Sequence, residues 1–179
     1  MTRAQRIAGS FGAVLLALVV TTAQAQPQFT GTWVLDPAQS QLPQRGGHGK
    51  GTAGTPQGQP PQVKLIVEQQ GNTLKTTRSV AHGTRERAMS ETYVIDGTER
   101  TEQTPRGGSS VTKATLGGDR LVVNTSHTQP AREQGQPART FARESVWTLS
   151  PDGRTLTIDT TMHGPRGDRA MKTVYTKAG

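Results

Sequence analysis

The sequence predicts an all-β protein: an antiparallel up-and-down meander of about eight or nine strands that closes into a barrel. Three observations carry this expectation. Beyond Ala25 no stretch keeps apolar residues at i, i+3, i+4 and i+7, so no sustained helix is expected there. Short runs rich in β-branched and aromatic residues recur, each bounded by Gly, Asn, Asp or Pro. The intervening turns are mostly short enough to join neighbours as hairpins, and a meander in water must hide its edges, most completely by closing. Two stacked sheets forming a β-sandwich are the alternative, and the many threonines suit either architecture.

The chain begins with Arg3 and Arg6, an apolar run over residues 11–20, and Thr21-Thr22-Ala23-Gln24-Ala25, which ends in a small-x-small pattern. This reads as a signal peptide over residues 1–25, cleaved after Ala25. The apolar run is about half the ~20 residues that a spanning helix needs, so it is not expected to remain as a membrane anchor. No cysteine follows it for lipid attachment. A periplasmic or secreted location is therefore expected, with residues 26–179 forming a single domain. The chain has no cysteine, which excludes disulfides, thiolate metal sites and thiol nucleophiles. Hydrophobic residues make up 31% of the chain and many lie before Ala25, so a thin core with a partly polar interior is expected.

The first strand is expected over residues 30–35. Asp36-Pro37 has the form of a helix cap followed by an N1 proline, which allows one short helical turn over residues 36–41. Residues 43–61 (PQRGGHGKGTAGTPQGQPP) hold too little apolar surface to offset ordering entropy and read as a disordered Gly/Pro-rich insert. Residues 104–109 and 129–137 are shorter versions. Val63, Leu65 and Val67 alternate with Lys64 and Glu68, although Ile66 breaks the pattern, and Gly71-Asn72 turns the chain into a strand over 73–78. A strand over 91–95 ends at Asp96-Gly97, a hairpin signal because both turn positions favour φ > 0. Strands follow over 110–116 and 120–125, joined at Gly117-Gly118-Asp119. Strands over 141–149 and 155–162 are joined at Pro151-Asp152-Gly153, and a last one runs over 170–177.

The stretch Phe29-Thr30-Gly31-Thr32-Trp33-Val34-Leu35 resembles the opening strand of the calycins (lipocalins, fatty-acid-binding proteins, avidins), where a G-x-W plugs one end of the barrel. Met171 to Lys177 is similar to the closing strand of a fatty-acid-binding protein. The pairing of FTGTWVLDPAQS with VWTLSPDGRTLTI also resembles a group of small exported bacterial proteins that carry no assigned activity. The resemblance implies a lipocalin-like barrel in which Gly31 lets a neighbouring backbone approach and Trp33 plugs the end. It further implies a basic residue of the last strand stacked on the indole, Arg169 or Lys172 being the candidates. Thr173 stands where intracellular fatty-acid-binding proteins carry a carboxylate-binding arginine, so that clamp is missing. Their two-helix lid has no counterpart in this sequence.

Little here points to catalysis. His48, His82, His127 and His163 show no metal-ligand spacing, and no serine sits in a G-x-S-x-G elbow. Glu91 and Glu144 lie mid-strand and could face inward, but nothing pairs them; Asp96 and Asp152 are turn residues. No catalytic residue, metal site or cofactor is expected. The net charge of +8 comes from scattered arginines and would favour an anionic envelope component. With only three Phe, two Tyr and two Trp, interleaving of aromatics with basic residues is absent, and nucleic acid is not an expected partner. The remaining idea is a cavity. Phe141, Arg143, Ser145, Trp147 and Leu149 share one strand face, and Arg169, Met171, Thr173 and Tyr175 share another. If both face inward, Arg143, Trp147 and Tyr175 would meet a small apolar or amphipathic ligand; if Trp147 is simply core, they are packing residues and nothing more.

Overall fold

A computed structural model describes residues 27–41, 62–105, 107–131, 136–164 and 167–179. The expected signal peptide, residues 1–25, and the whole Gly/Pro-rich insert, residues 43–61, lie outside the described residues. The strands are β1 (Gly31–Leu35), β2 (Gln62–Gln70), β3 (Thr73–His82), β4 (Arg85–Val94), β5 (Asp96–Gln103), β6 (Ser109–Gly117), β7 (Arg120–Gln129), β8 (Arg139–Leu149), β9 (Thr155–His163) and β10 (Arg169–Lys177). All join one antiparallel sheet in the order β4-β3-β2-β1-β10-β9-β8-β7-β6-β5.

Sequence neighbours therefore pair throughout, and β1 pairs with β10 through Trp33 opposite Lys177 and Leu35 opposite Tyr175. Among the described residues the round is interrupted between β4 and β5, which do not pair. The barrel is nearly closed, with a seam there. One strand more is present than the sequence predicts. β5 escapes detection because it is almost wholly exposed and shows no apolar alternation.

Asp96-Gly97 is a corner and not a hairpin. Gly97 has φ 77°, as the turn chemistry requires. Asp96 Oδ1, however, accepts a hydrogen bond from Thr98 N at 2.9 Å, and Ile95 N donates to Asn72 O at 2.8 Å. The chain is thus steered across the barrel end into β5 instead of back along β4. Residues 36–41 form turns, not a helix: Asp36 Oδ1 accepts from Ala38 N and Gln39 N at 2.9 and 3.2 Å. Within 104–109, Thr104 N donates to Gly108 O and Gly107 N to Thr104 O, an ordered turn where looseness is expected from composition.

Inward residues change character from one end of the barrel to the other. At the end holding the turns after β2, β6 and β8, Trp33, Phe29, Leu74, Leu121 and Leu156 are fully buried. Burying such side chains contributes about 1.5–3 kcal/mol each. Next comes a belt of buried hydroxyls: Thr76, Thr125, Ser145, Thr160 and Thr173. Beyond it lie Arg78, Met89, Glu91, Arg143, Met162 and Met171, toward an open rim. Ile66, which breaks the expected alternation in β2, points outward and is 38% exposed.

At the closed end Trp33 is packed into the interior, with partners other than those the resemblance implies. Trp33 is completely buried and its Nε1 donates to Phe29 O at 2.9 Å. The cation over its ring is Lys177, with Nζ 5.4 Å from the centroid. Neither Arg169 nor Lys172 takes this role: the register sets Arg169 opposite Met162 at the far end of β10 and Lys172 opposite Asp159, while Lys177 falls opposite Trp33. Gly31 has φ 153°, and a Cβ there would stand 2.9 Å from Lys177 Cε and 3.6 Å from Trp33 Nε1. The close neighbours are side chains of the plug, not the backbone that the motif suggests.

Candidate ligand cavity

Strand alternation turns residues 143, 145 and 147 of β8 and residues 171, 173 and 175 of β10 toward the same interior. Together they line a cavity of about 290 Å³. Arg143, Trp147 and Tyr175 all reach it, from two strands separated only by β9. The proposed plug residues Gly31 and Trp33 are not among its walls.

The floor is apolar. Trp147 is 6% exposed and meets Phe29 edge to face, with centroids 6.1 Å apart. It serves at once as core and as cavity wall. Leu65, Ile158 and Tyr175 complete the floor. Above them Ser145 and Thr160 satisfy each other at 3.2 Å, and Thr173 Oγ1 donates to Ile158 O at 3.3 Å. Thr173, where the fatty-acid-binding-protein arginine is missing, is thus a buried wall residue with its hydroxyl already engaged.

The polar wall is a cluster of three side chains. Arg143 Nη2 lies 3.4 and 3.5 Å from the two Glu91 carboxylate oxygens, across the lumen from β8 to β4. Tyr93, two residues on and so on the same face, donates its hydroxyl to Glu91 Oε2. Burial, then the Glu91 charge and hydrogen bond, push the Tyr93 phenol well above its usual value, offset in part by Arg143. Tyr93 therefore stays a neutral donor at physiological pH. Two buried polar atoms lack a hydrogen-bond partner among the described residues: Arg143 Nε and Thr125 Oγ1. They belong to cross-strand partners in β7 and β8. Buried orphan polar atoms are rare in native folds and carry a desolvation cost of about 1–3 kcal/mol each unless a guest satisfies them.

Glu144 lies on the exposed outer face, so the two mid-strand glutamates are on opposite sides of the sheet and form no carboxylate pair. His127 is exposed at the rim, and His163 contacts Asp168 at 2.8 Å, both exposed. His48 lies outside the described residues. Among those residues no group of three or more His, Asp or Glu could hold a metal ion, and no helix is long and apolar enough to cross a membrane. Tyr93 and Thr125 went unremarked in the sequence, although Thr125 continues the inward series Leu121, Val123 and Tyr93 stands two residues from Glu91.

No protein-family model matches the chain, and no curated protein matches it in sequence. Solved structures do. Secretory abundant heat soluble protein 4 from Ramazzottius varieornatus is similar over 89% of this chain and 100% of its own, with 14% identity and a TM-score of 0.50. The REP1-NXSQ fatty acid transporter is similar over 84% and 96%, with 14% identity and a TM-score of 0.49. The zebrafish ileal bile acid-binding protein complexed with cholic acid is similar over 84% and 98%, also at 14% and 0.49. The likeness is one of backbone architecture: this chain folds as a nearly closed, ten-stranded antiparallel β-barrel.

Proposed function

We propose that the protein is an exported small-molecule-binding module, holding an apolar or amphipathic ligand in the barrel. Its place is the periplasm or the medium outside the cell, after removal of the segment ending at Ala25. The observation that carries this reading is the cavity: an apolar floor of Trp147, Tyr175, Leu65 and Ile158 beneath a polar wall that includes Arg143 with an unsatisfied Nε. Trp147 and Tyr175 take the apolar body of the ligand and Arg143 its polar end. No side chain is assigned to bond-making chemistry, and the module is a carrier or sensor, not an enzyme.

Native mass spectrometry of the protein isolated from its own compartment tests this. An adduct lost on denaturation supports the carrier, and its mass gives the ligand class. A bare polypeptide mass, with no binding to a panel of lipids and aromatics, ends this reading. N-terminal sequencing of the same sample should begin at Gln26; a chain that starts at Met1 refutes cleavage.

A second reading has its own observation. Arg78, Arg85, Arg87, Arg139 and Arg169 are exposed at or near the open rim, a basic mouth suited to an anionic envelope component. Salt-sensitive binding to anionic lipid vesicles, lost when Arg139 and Arg169 are changed to Glu, supports it. Equal binding to neutral vesicles counts against it.

A further inference from the structure

Two compartments meet inside the barrel. The cavity of about 290 Å³ lies over the Trp147 floor. A second, about 480 Å³, opens at the β4–β5 seam and is lined by Ser110, Thr112, Thr125 and His127. Glu91, Tyr93 and Arg143 line both, so this cluster forms the wall between them. Both orphaned polar atoms, Thr125 Oγ1 and Arg143 Nε, belong to residues of the seam compartment.

We propose that the ligand is an amphiphile with an uncharged, oxygen-bearing head group, such as an alcohol, ester or amide, and that Glu91 turns carboxylates away. This rests on the small-molecule reading above. The apolar body lies on the Trp147 floor, and the head reaches the seam compartment, where its oxygen accepts from Arg143 Nε and exchanges a hydrogen bond with the Thr125 hydroxyl.

The reason is charge. The half-buried cation facing both compartments, Arg143, already has a carboxylate beside it in Glu91. A ligand carboxylate at the same guanidinium would set a second negative charge against Glu91, and like charges sharing one half-buried site repel. Glu91 cannot withdraw freely, because it also accepts the Tyr93 hydroxyl. The other charges nearby do not relieve this. Arg100 is held by Asp96 at 2.8 Å, Glu102 adds negative charge, and Arg78 is exposed at the mouth, where solvent screens it. A neutral oxygen needs no such compensation. It satisfies two buried donors and leaves the Glu91–Arg143 pair in place.

The experiment is calorimetric titration of the folded protein with decanol, methyl decanoate, decanoate and decane. Decanol and methyl decanoate should bind about tenfold or more tightly than decanoate, the factor expected for one close like-charge repulsion with Glu91 in a partly solvated site. In Glu91→Gln the preference should collapse through a rise of about tenfold in decanoate affinity. Thr125→Val should cost decanol several-fold while leaving decane unmoved.

Decanoate binding as tightly as decanol in the unmodified protein overturns the inference, and this comparison needs no variant to fold. An unchanged ratio in Glu91→Gln, with its thermal melt intact, also overturns it. In both cases the carrier reading survives. If none of the four probes binds, the carrier reading falls and this inference with it.

Discussion

The same strands build both ends of the barrel, and the two ends behave as different materials. At the closed end, Phe29, Trp33, Leu74, Leu121 and Leu156 exclude water, and the cation of Lys177 lies over the Trp33 indole. At the open end the inward positions carry Arg78, Met89 and Phe141, with Met89 60% and Phe141 37% exposed. Between them, Thr76, Thr125, Ser145, Thr160 and Thr173 are buried yet polar. A thin hydrophobic content is thus concentrated where it seals one end, and the rest of the interior is more polar and holds the cavity over Trp147. Stability should reside in the closed end and recognition in the belt and rim.

Mutations at matched depths sharpen this contrast. The largest effect belongs to Trp33→Ala, which empties the plug and should cost about 3–5 kcal/mol in chemical denaturation. Leu121→Ala, also fully buried, should cost about 2–5 kcal/mol, whereas Phe141→Ala at the rim should stay within about 0.5 kcal/mol. Equal losses at Leu121 and Phe141 would dissolve the distinction between the ends.

Tyr93 gives a pH effect of intermediate size. Its phenol pKa is raised in the folded state, above the ordinary value of about 10. The stability linked to it is therefore whole below pH ~10 and is lost as pH rises beyond that value. Thermal melts of the unmodified protein should fall more steeply above that pH than those of Tyr93→Phe; parallel curves would remove the linkage. A further small effect belongs to Lys177→Met, which keeps most of the packing but loses the cation over Trp33. A loss of about 0.5–1 kcal/mol is expected, the range for a solvent-exposed contact of this kind.

The alternation that placed Trp147 and Arg143 on one face, and Tyr175 on another, was legible because a strand has period two and cannot hide which residues share a side. Both faces prove to be interior ones. The strand β5 was not legible: DGTERTEQ is exposed along almost its whole length, so no apolar rhythm marks it. Asp96-Gly97 announced a turn correctly and its kind wrongly, since one dipeptide chemistry serves a hairpin or a corner. The cation over Trp33, Lys177, stands five and eight positions beyond the candidates Lys172 and Arg169, because register depends on pairing with β1 and no local pattern encodes it.

The sequence by itself determined the strand-and-turn alphabet, the absence of thiol chemistry and the poverty of the core, all of which follow from side-chain chemistry and local periodicity. Only the tertiary structure decided where the barrel fails to close, which lysine caps Trp33, and that Glu91 meets Arg143 across the lumen, 52 residues apart in the chain. Those are non-local facts. They arise when ten strands share one sheet and its curvature brings distant residues within a few ångströms, a geometry that no window along the chain contains.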